Sequence, residues 1–244
     1  MDSFPRGNMQ GIHLGNIVLG FVAFLFSLCV HEFAHAWTTE RFGDDTGRYQ
    51  GRITLDPRAH IDPIGSILFP LLGLIVGGLI FGWAKPVEVN PSRWKNKVVA
   101  NIVVSAAGPI SNLLLALGAV LLLKLLVVTG GIGRGDVLGM FSGHELADPQ
   151  ALLGLAEPVL IFLRMMIIIN LLLAVFNMLP IPPLDGSHIL SSLLSVVSVP
   201  LMEAYESLRP YGFFIIILAS VTGLLSKIYL PLMSFFLVLL FSLL

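Results

Sequence analysis

The sequence predicts an all-α polytopic membrane protein, and three observations carry that prediction. Of its 244 residues, 56% are hydrophobic and only 12% are charged, against about 25% charged in an ordinary soluble domain. Mean hydropathy is +0.90. The apolar residues fall in long runs between short polar links, and a run crosses a ~30 Å hydrocarbon layer once it holds about 20 residues. About six transmembrane helices are expected, with a short β-hairpin or a re-entrant segment at the membrane edge. They form a single integral-membrane domain over 1–244, built on spans 12–37, 98–128 and 151–178 together with 185–199. The net charge of −1 supplies no general attraction to nucleic acid, so none is expected as a partner. The single cysteine, Cys29, has no internal disulfide partner and reads as packing.

The first run, 12–37, is long enough to span and carries His31, Glu32 and His35 in its C-terminal half. The polar stretch 38–62 follows. Within it Arg48, Gln50, Arg52 and Thr54 alternate with other residues between glycines and Pro57, the pattern of the expected hairpin. The run 64–81 contains Pro70, Gly73, Gly77 and Gly78 and is barely long enough to cross. The segment 81–91 reads as extended, because Pro86 and Pro91 disfavour helix in the residues before them. A long helix over 98–128 carries Gly108, Pro109 and Asn112, and a Gly-rich link follows it. The span 151–178 holds Arg164 and Asn170 among apolar residues. A proline-rich break, 177–186, separates it from a short helix over 187–199, and the apolar segments 211–225 and 231–244 are expected as two short helices or as one kinked element. Trp37, Trp83 and Trp94 sit beside span ends, as interfacial anchors do.

Basic residues set the expected orientation. Arg41, Arg48, Arg52 and Arg58 fall in 38–63, and Lys85, Arg93, Lys95 and Lys97 in 83–97. The link 129–150 has only Arg134 against Asp136, Glu145 and Asp148. The first two loops are therefore expected on the cytoplasmic side. Both can lie there only if 64–81 dips in and returns, which motivates the re-entrant option. The first span then runs from outside to inside, with His31 and His35 nearer the cytoplasmic face.

His31, Glu32 and His35 form an H-E-x-x-H motif inside an apolar span. Ionisable groups in hydrocarbon are costly, and where they occur they are functional by default. Residues four apart share a helix face, so both imidazoles can grip one ion. Glu32 lies about 100° round the helix from His31, placed to reach a water beside that ion without being a ligand. This is the pattern of a zinc hydrolase with Glu32 as general base. The blander reading is a pair of buried, hydrogen-bonded structural histidines. A catalytic zinc site takes three protein ligands and leaves one position open. Asp185, just after the proline-rich break, is the best third candidate. It fits equally well as the N-cap of the short helix that follows. His188, three residues on, is a further option. His60, in a basic loop, is expected at the surface.

The order H-E-F-A-H (31–35), G-P-I-S-N (108–112) and N-x-x-P-x-P-x-x-D-G (177–186) resembles the site-2 protease family of intramembrane zinc metalloproteases. The stretches 55–65 and 81–91 resemble its compact prokaryotic type, without an added PDZ or CBS domain, and the likeness covers roughly 12–225. The resemblance implies one Zn2+ per chain bound by His31, His35 and Asp185, with Glu32 activating water. Asn112 and Asn177, at motif positions, are implied to line the site near substrate and its oxyanion or to stabilise the catalytic geometry. The implied substrate is a transmembrane protein or a remnant signal peptide, reached from the lipid bilayer of a prokaryotic plasma membrane. A metal or proton transporter, or a non-enzymatic descendant, would leave the later motifs or the intact Glu32 unexplained.

Overall fold

In the computed structural model, which describes residues 14–70, 82–142 and 156–243, helices form where the apolar runs predict them. The first, α1 (Leu14–Arg41), carries the H-E-x-x-H motif. A single turn, α2 (Thr46–Tyr49), follows. Asn96 starts α3 (Lys97–Val128), its side chain accepting the Val99 N–H, as an N-cap should. A short α4 (Arg134–Ser142) leads to α5 (Ala156–Asn177). After the proline-rich turn come α6 (Asp185–Val197), α7 (Val199–Glu206), α8 (Gly212–Val221) and α9 (Leu224–Phe241).

Four of these, over Gly15–Arg41, Lys97–Val128, Glu157–Asn177 and Leu224–Phe241, are long and apolar enough to cross a membrane. Helices α1, α3 and α5 pack against one another, and α6 lies along α3. Lipid offers no hydrophobic drive for helices to associate, so close van der Waals packing through small residues must supply it. Ala23 and Ala116 are fully buried at these contacts and cluster with Val120, Leu123, Ile167 and Leu171. Ser27, Asn112 and Asn170 are also fully buried, so the bundle has a polar seam.

Several expectations are corrected. The β-hairpin at 48–55 does not form, and the described residues contain no strand. The alternation there has no partner strand. Arg52 is instead buried and donates to the carbonyls of Ala59 and Lys85, which winds the loop into turns. Fully buried Asp44 accepts the Thr46 N–H at 3.1 Å and the Asn90 N–H at 2.6 Å. It thereby fastens the extended segment 82–90 to the end of α1. His60 is not at the surface. It is 1% exposed, with Nε2 2.9 Å from the Thr54 carbonyl oxygen, and its own carbonyl accepts the Lys85 N–H.

Trp94 is no interfacial anchor either. It is buried, and its Nε1 donates to Thr39 Oγ1 at 3.1 Å. Among the described residues four helices meet the length for a span rather than six. Most of the run 64–81 lies outside them. At its start, Asp62 accepts the N–H groups of Ile64 and Gly65 and caps a short π-helical stretch, Pro63–Leu68. The last apolar stretch forms two helices, with the boundary at 222–223 rather than between 225 and 231. The chain turns at Gly223, whose φ of +71° is open to glycine. Then α9 runs on through Pro231. That proline forfeits one hydrogen bond, a loss tolerated in membrane helices.

Candidate metal centre

Two helices that are remote in sequence meet at this site. His31 and His35 stand one turn apart on α1, and Asp185 is the first residue of α6. His31 Nε2 lies 3.1 Å from His35 Nε2. Asp185 Oδ2 lies 3.2 Å from His31 Nε2, and Oδ1 lies 3.4 Å from His35 Nε2. Ligands about 2.0–2.1 Å from a tetrahedral zinc stand about 3.3 Å apart. The nitrogen–nitrogen distance and the distance from each nitrogen to one of the two carboxylate oxygens all lie near that value, so these residues fit zinc.

The tautomers point the same way. His31 Nδ1 is 2.6 Å from Asn112 Oδ1. His35 Nδ1 is 2.8 Å from the Val104 carbonyl oxygen. Both acceptors require a proton on Nδ1, so in the neutral ring each Nε2 keeps a lone pair. The Asn112 orientation is set by its own amide, which donates to Asn170 Oδ1 at 2.8 Å and to the Ser27 carbonyl at 3.3 Å. Two facing lone pairs at 3.1 Å repel unless a cation lies between them. Asp185 Oδ2 is likewise buried without a hydrogen-bond partner. A divalent cation satisfies all three atoms.

Local sequence explains how Asp185 arrives. After α5 ends at Asn177, the prolines forbid further helix and the chain doubles back. Gly186 rests on that turn: a Cβ there would lie 2.2 Å from the Met178 carbonyl oxygen and 2.6 Å from that of Leu179. Tyr205 on α7 donates to the Pro180 carbonyl at 3.1 Å. Leu184 occupies the N-cap position of α6, so the capping role considered for Asp185 is not realised. Its carboxylate sits in the first turn of α6, where the helix dipole favours an anion.

The three ligand candidates open on a cavity of about 680 Å³ that Glu32, Asn101, Asn177 and His188 also line. Asn112 does not line it. It is fully buried behind His31, so it acts on the imidazole and not on a substrate. Asn177 does line the cavity, with Nδ2 donating to the Leu173 carbonyl at 2.9 Å. Cys29 is buried. His13 and His144, which the sequence puts at a span end and in the outer link as solvated side chains, lie outside the described residues.

Sequence reasoning missed three contributors. Gly108 is one: a Cβ there would sit 2.4 Å from His35 Nε2 and 2.6 Å from His31 Nε2. Only a hydrogen at that position lets α3 pass over the metal face. Asn170 is the second, donating to Ser27 Oγ at 2.8 Å and so anchoring Asn112. A polar residue inside a span was the available signal. The Arg209–Glu206 pair is the third. Arg209 donates to Glu206 at 2.7 and 2.9 Å and holds that carboxyl below its ordinary range. No short-range pattern announces it.

Comparison with known proteins agrees with this chemistry. The sequence profile of peptidase family M50 matches residues 19–220. YwhC of Bacillus subtilis, provisionally named a zinc metalloprotease, is 38% identical over 213 residues, covering 87% of this chain and 84% of YwhC. Rip2 of Mycobacterium tuberculosis, under the same provisional name, is 34% identical over 175 residues, 71% of this chain and 56% of its own length. Rip2 of Mycolicibacterium smegmatis is 32% identical over 225 residues, 92% of this chain and 74% of its own. No solved structure matches the chain. With the profile spanning most of its length, the chain belongs to peptidase family M50, the site-2 protease family, and is a zinc metalloprotease.

Proposed function

We propose that this zinc metalloprotease is an intramembrane endopeptidase, cutting peptide bonds within or near transmembrane segments in regulated intramembrane proteolysis. One zinc per chain is held by His31, His35 and Asp185, and Glu32 is the general base. One observation carries the reading. Two imidazoles and a carboxylate close enough to share one ion line a cavity with Glu32, and both imidazoles come from a helix apolar enough to cross a membrane.

Zinc bound there lowers the pKa of water and polarises a carbonyl. Glu32 takes the proton from the attacking water and passes it to the leaving amine. Asn112 and the Val104 carbonyl hold both imidazoles with Nε2 toward the cation, the usual duty of groups behind a metal ligand. The substrate class is a single-span membrane protein or a remnant signal peptide, arriving from the lipid bilayer. An intact helix hides its carbonyls in internal hydrogen bonds, so it must unwind locally before attack. The basic residues of 38–63 and 83–97 favour the cytoplasmic side for those loops. The site then opens toward the cytoplasmic face of a prokaryotic plasma membrane.

The test is cleavage of a single-span substrate by protein purified in detergent, with zinc quantified. Wild type is expected to hold about one zinc per chain and to cleave. Glu32→Gln keeps the zinc and loses cleavage, and Asp185→Ala loses both. Normal cleavage by Glu32→Gln would remove the base assignment. Zinc transport into proteoliposomes without any cleavage would replace the proteolytic reading.

A further inference from the structure

We propose that His188 is a catalytic residue of this site, donating a hydrogen bond from Nδ1–H to the oxygen of the scissile carbonyl as negative charge develops there. The proposal deepens the endopeptidase reading and rests on it.

His188 lies one turn beyond Asp185 on α6 and lines the cavity that holds His31, Glu32 and His35. It also lines a second, polar cleft of about 310 Å³ that contains Glu206 and Arg209. The imidazole therefore stands between the two spaces. On the cleft side, Arg209 Nη1 is 3.3 Å from His188 Nε2. Arginine has donors and no acceptor, so Nε2 accepts and the ring proton is on Nδ1.

Arg209 is itself fixed by its two hydrogen bonds to Glu206, and the His188 carbonyl accepts from Asn101 Nδ2 at 3.2 Å. Both the ring and its backbone are thus held. His188 Nδ1 has no hydrogen-bond partner among the described residues. Arg209 lines the cleft and not the cavity; with Nε2 engaged on the cleft side, Nδ1–H is the ring donor left for the cavity.

Attack on a peptide carbonyl needs such a donor, aimed where the oxyanion forms. The other candidates are weaker. Asn112 does not line the cavity, and Asn177 already spends one amide N–H on the Leu173 carbonyl. In this scheme Arg209 is a positioning residue that selects the tautomer of His188.

The experiment compares wild type, His188→Ala, His188→Asn and Arg209→Ala in detergent, using a synthetic signal-peptide remnant as substrate. Zinc content, KM and kcat are measured for each. Binding of a phosphinic analogue of the peptide is measured alongside, because it mimics the tetrahedral oxyanion. His188→Ala is expected to keep its zinc and a KM within about twofold, and to lose about 10²–10³ in kcat, the usual cost of one oxyanion donor. Analogue affinity falls by a similar factor while affinity for the uncleaved peptide does not. His188→Asn, whose amide reproduces a donor near Nδ1, recovers at least tenfold over Ala.

Arg209→Ala lowers kcat by about tenfold without moving KM. The 15N signals of the His188 ring in wild type, assigned by difference from His188→Ala, report the Nδ1–H form. A kcat within threefold of wild type in His188→Ala, a loss confined to KM, no advantage of Asn over Ala, or an Nε2–H ring would each overturn the proposal. Wild type that binds zinc and cleaves nothing overturns the endopeptidase reading instead. The ring signals and analogue binding still decide the role of His188 in that case.

Discussion

Gly108→Ala tests the geometry of the metal centre more sharply than removal of a ligand does, because every candidate ligand stays in place. The added Cβ would stand 2.4 Å from His35 Nε2, 2.5 Å from His31 Cε1 and 2.6 Å from His31 Nε2. Ordinary contact lies near 3.5 Å, so the methyl overlaps both rings by about 1 Å. Neither ring yields easily. Their Nδ1 atoms are bound to Asn112 and Val104 at 2.6 and 2.8 Å, and both partners lie on the same helix as residue 108. Shifting α3 away therefore stretches the hydrogen bonds that orient the ligands.

Zinc–nitrogen distances tolerate only about 0.2 Å, well below the overlap. Overpacking of this kind costs about 1–3 kcal/mol. Loaded onto the zinc-bound state, that is about 5- to 150-fold in affinity. The assay is zinc per chain against a graded chelator, with far-ultraviolet circular dichroism as the control for folding. The expected variant is fully helical, binds zinc at least fivefold more weakly and loses cleavage in proportion. A Gly108→Ala protein with wild-type zinc affinity and cleavage would refute the placement of α3 over the ligand pair.

Two further outcomes follow from buried polar contacts. Asn112→Leu removes the acceptor for His31 Nδ1 and both amide donations behind it. Zinc affinity should fall about 10- to 100-fold, read by the same chelator competition, while the unbound protein still folds. Asp44→Ala strands the Thr46 and Asn90 N–H groups and should destabilise the fold by about 1–3 kcal/mol in denaturant titration. Burial of Asp44 opposes its charge, but hydrogen bonds from Thr46 and Asn90 prevail and hold its pKa below the ordinary carboxylate value. Its contribution is therefore present above about pH 3.9 and is lost as pH falls through the depressed folded value. The variant should show a shallower loss of stability than wild type over that acid range.

The long helices were legible because their signal is local and strong. A run such as 98–128 has few alternatives in hydrocarbon, where each backbone polar group must be bonded within its own segment. The H-E-x-x-H pair was legible for the same reason, since four residues on a helix set the facing by themselves. The region 44–60 was not. Its alternation of polar residues suggested a hairpin, yet Arg52 and Asp44 find their partners in segments some 33 and 46 residues away. Distant carbonyls and amides decided its path. His60 and Trp94 were misplaced on the same account: both belong to a polar loop by sequence and to a buried knot by contact.

The sequence by itself determined the solvent, the helical class and the chemistry on offer, because each depends on composition or on spacing within one element. Only the tertiary structure decided which atoms meet. Asp185 reaches His31 because Gly186 packs on the Met178 carbonyl and α6 lies along α3. Asn112 became a support behind an imidazole because α1, α3 and α5 close around Ser27 and Asn170. Those are distances between segments far apart along the chain, and packing of whole helices, not any short pattern, sets them.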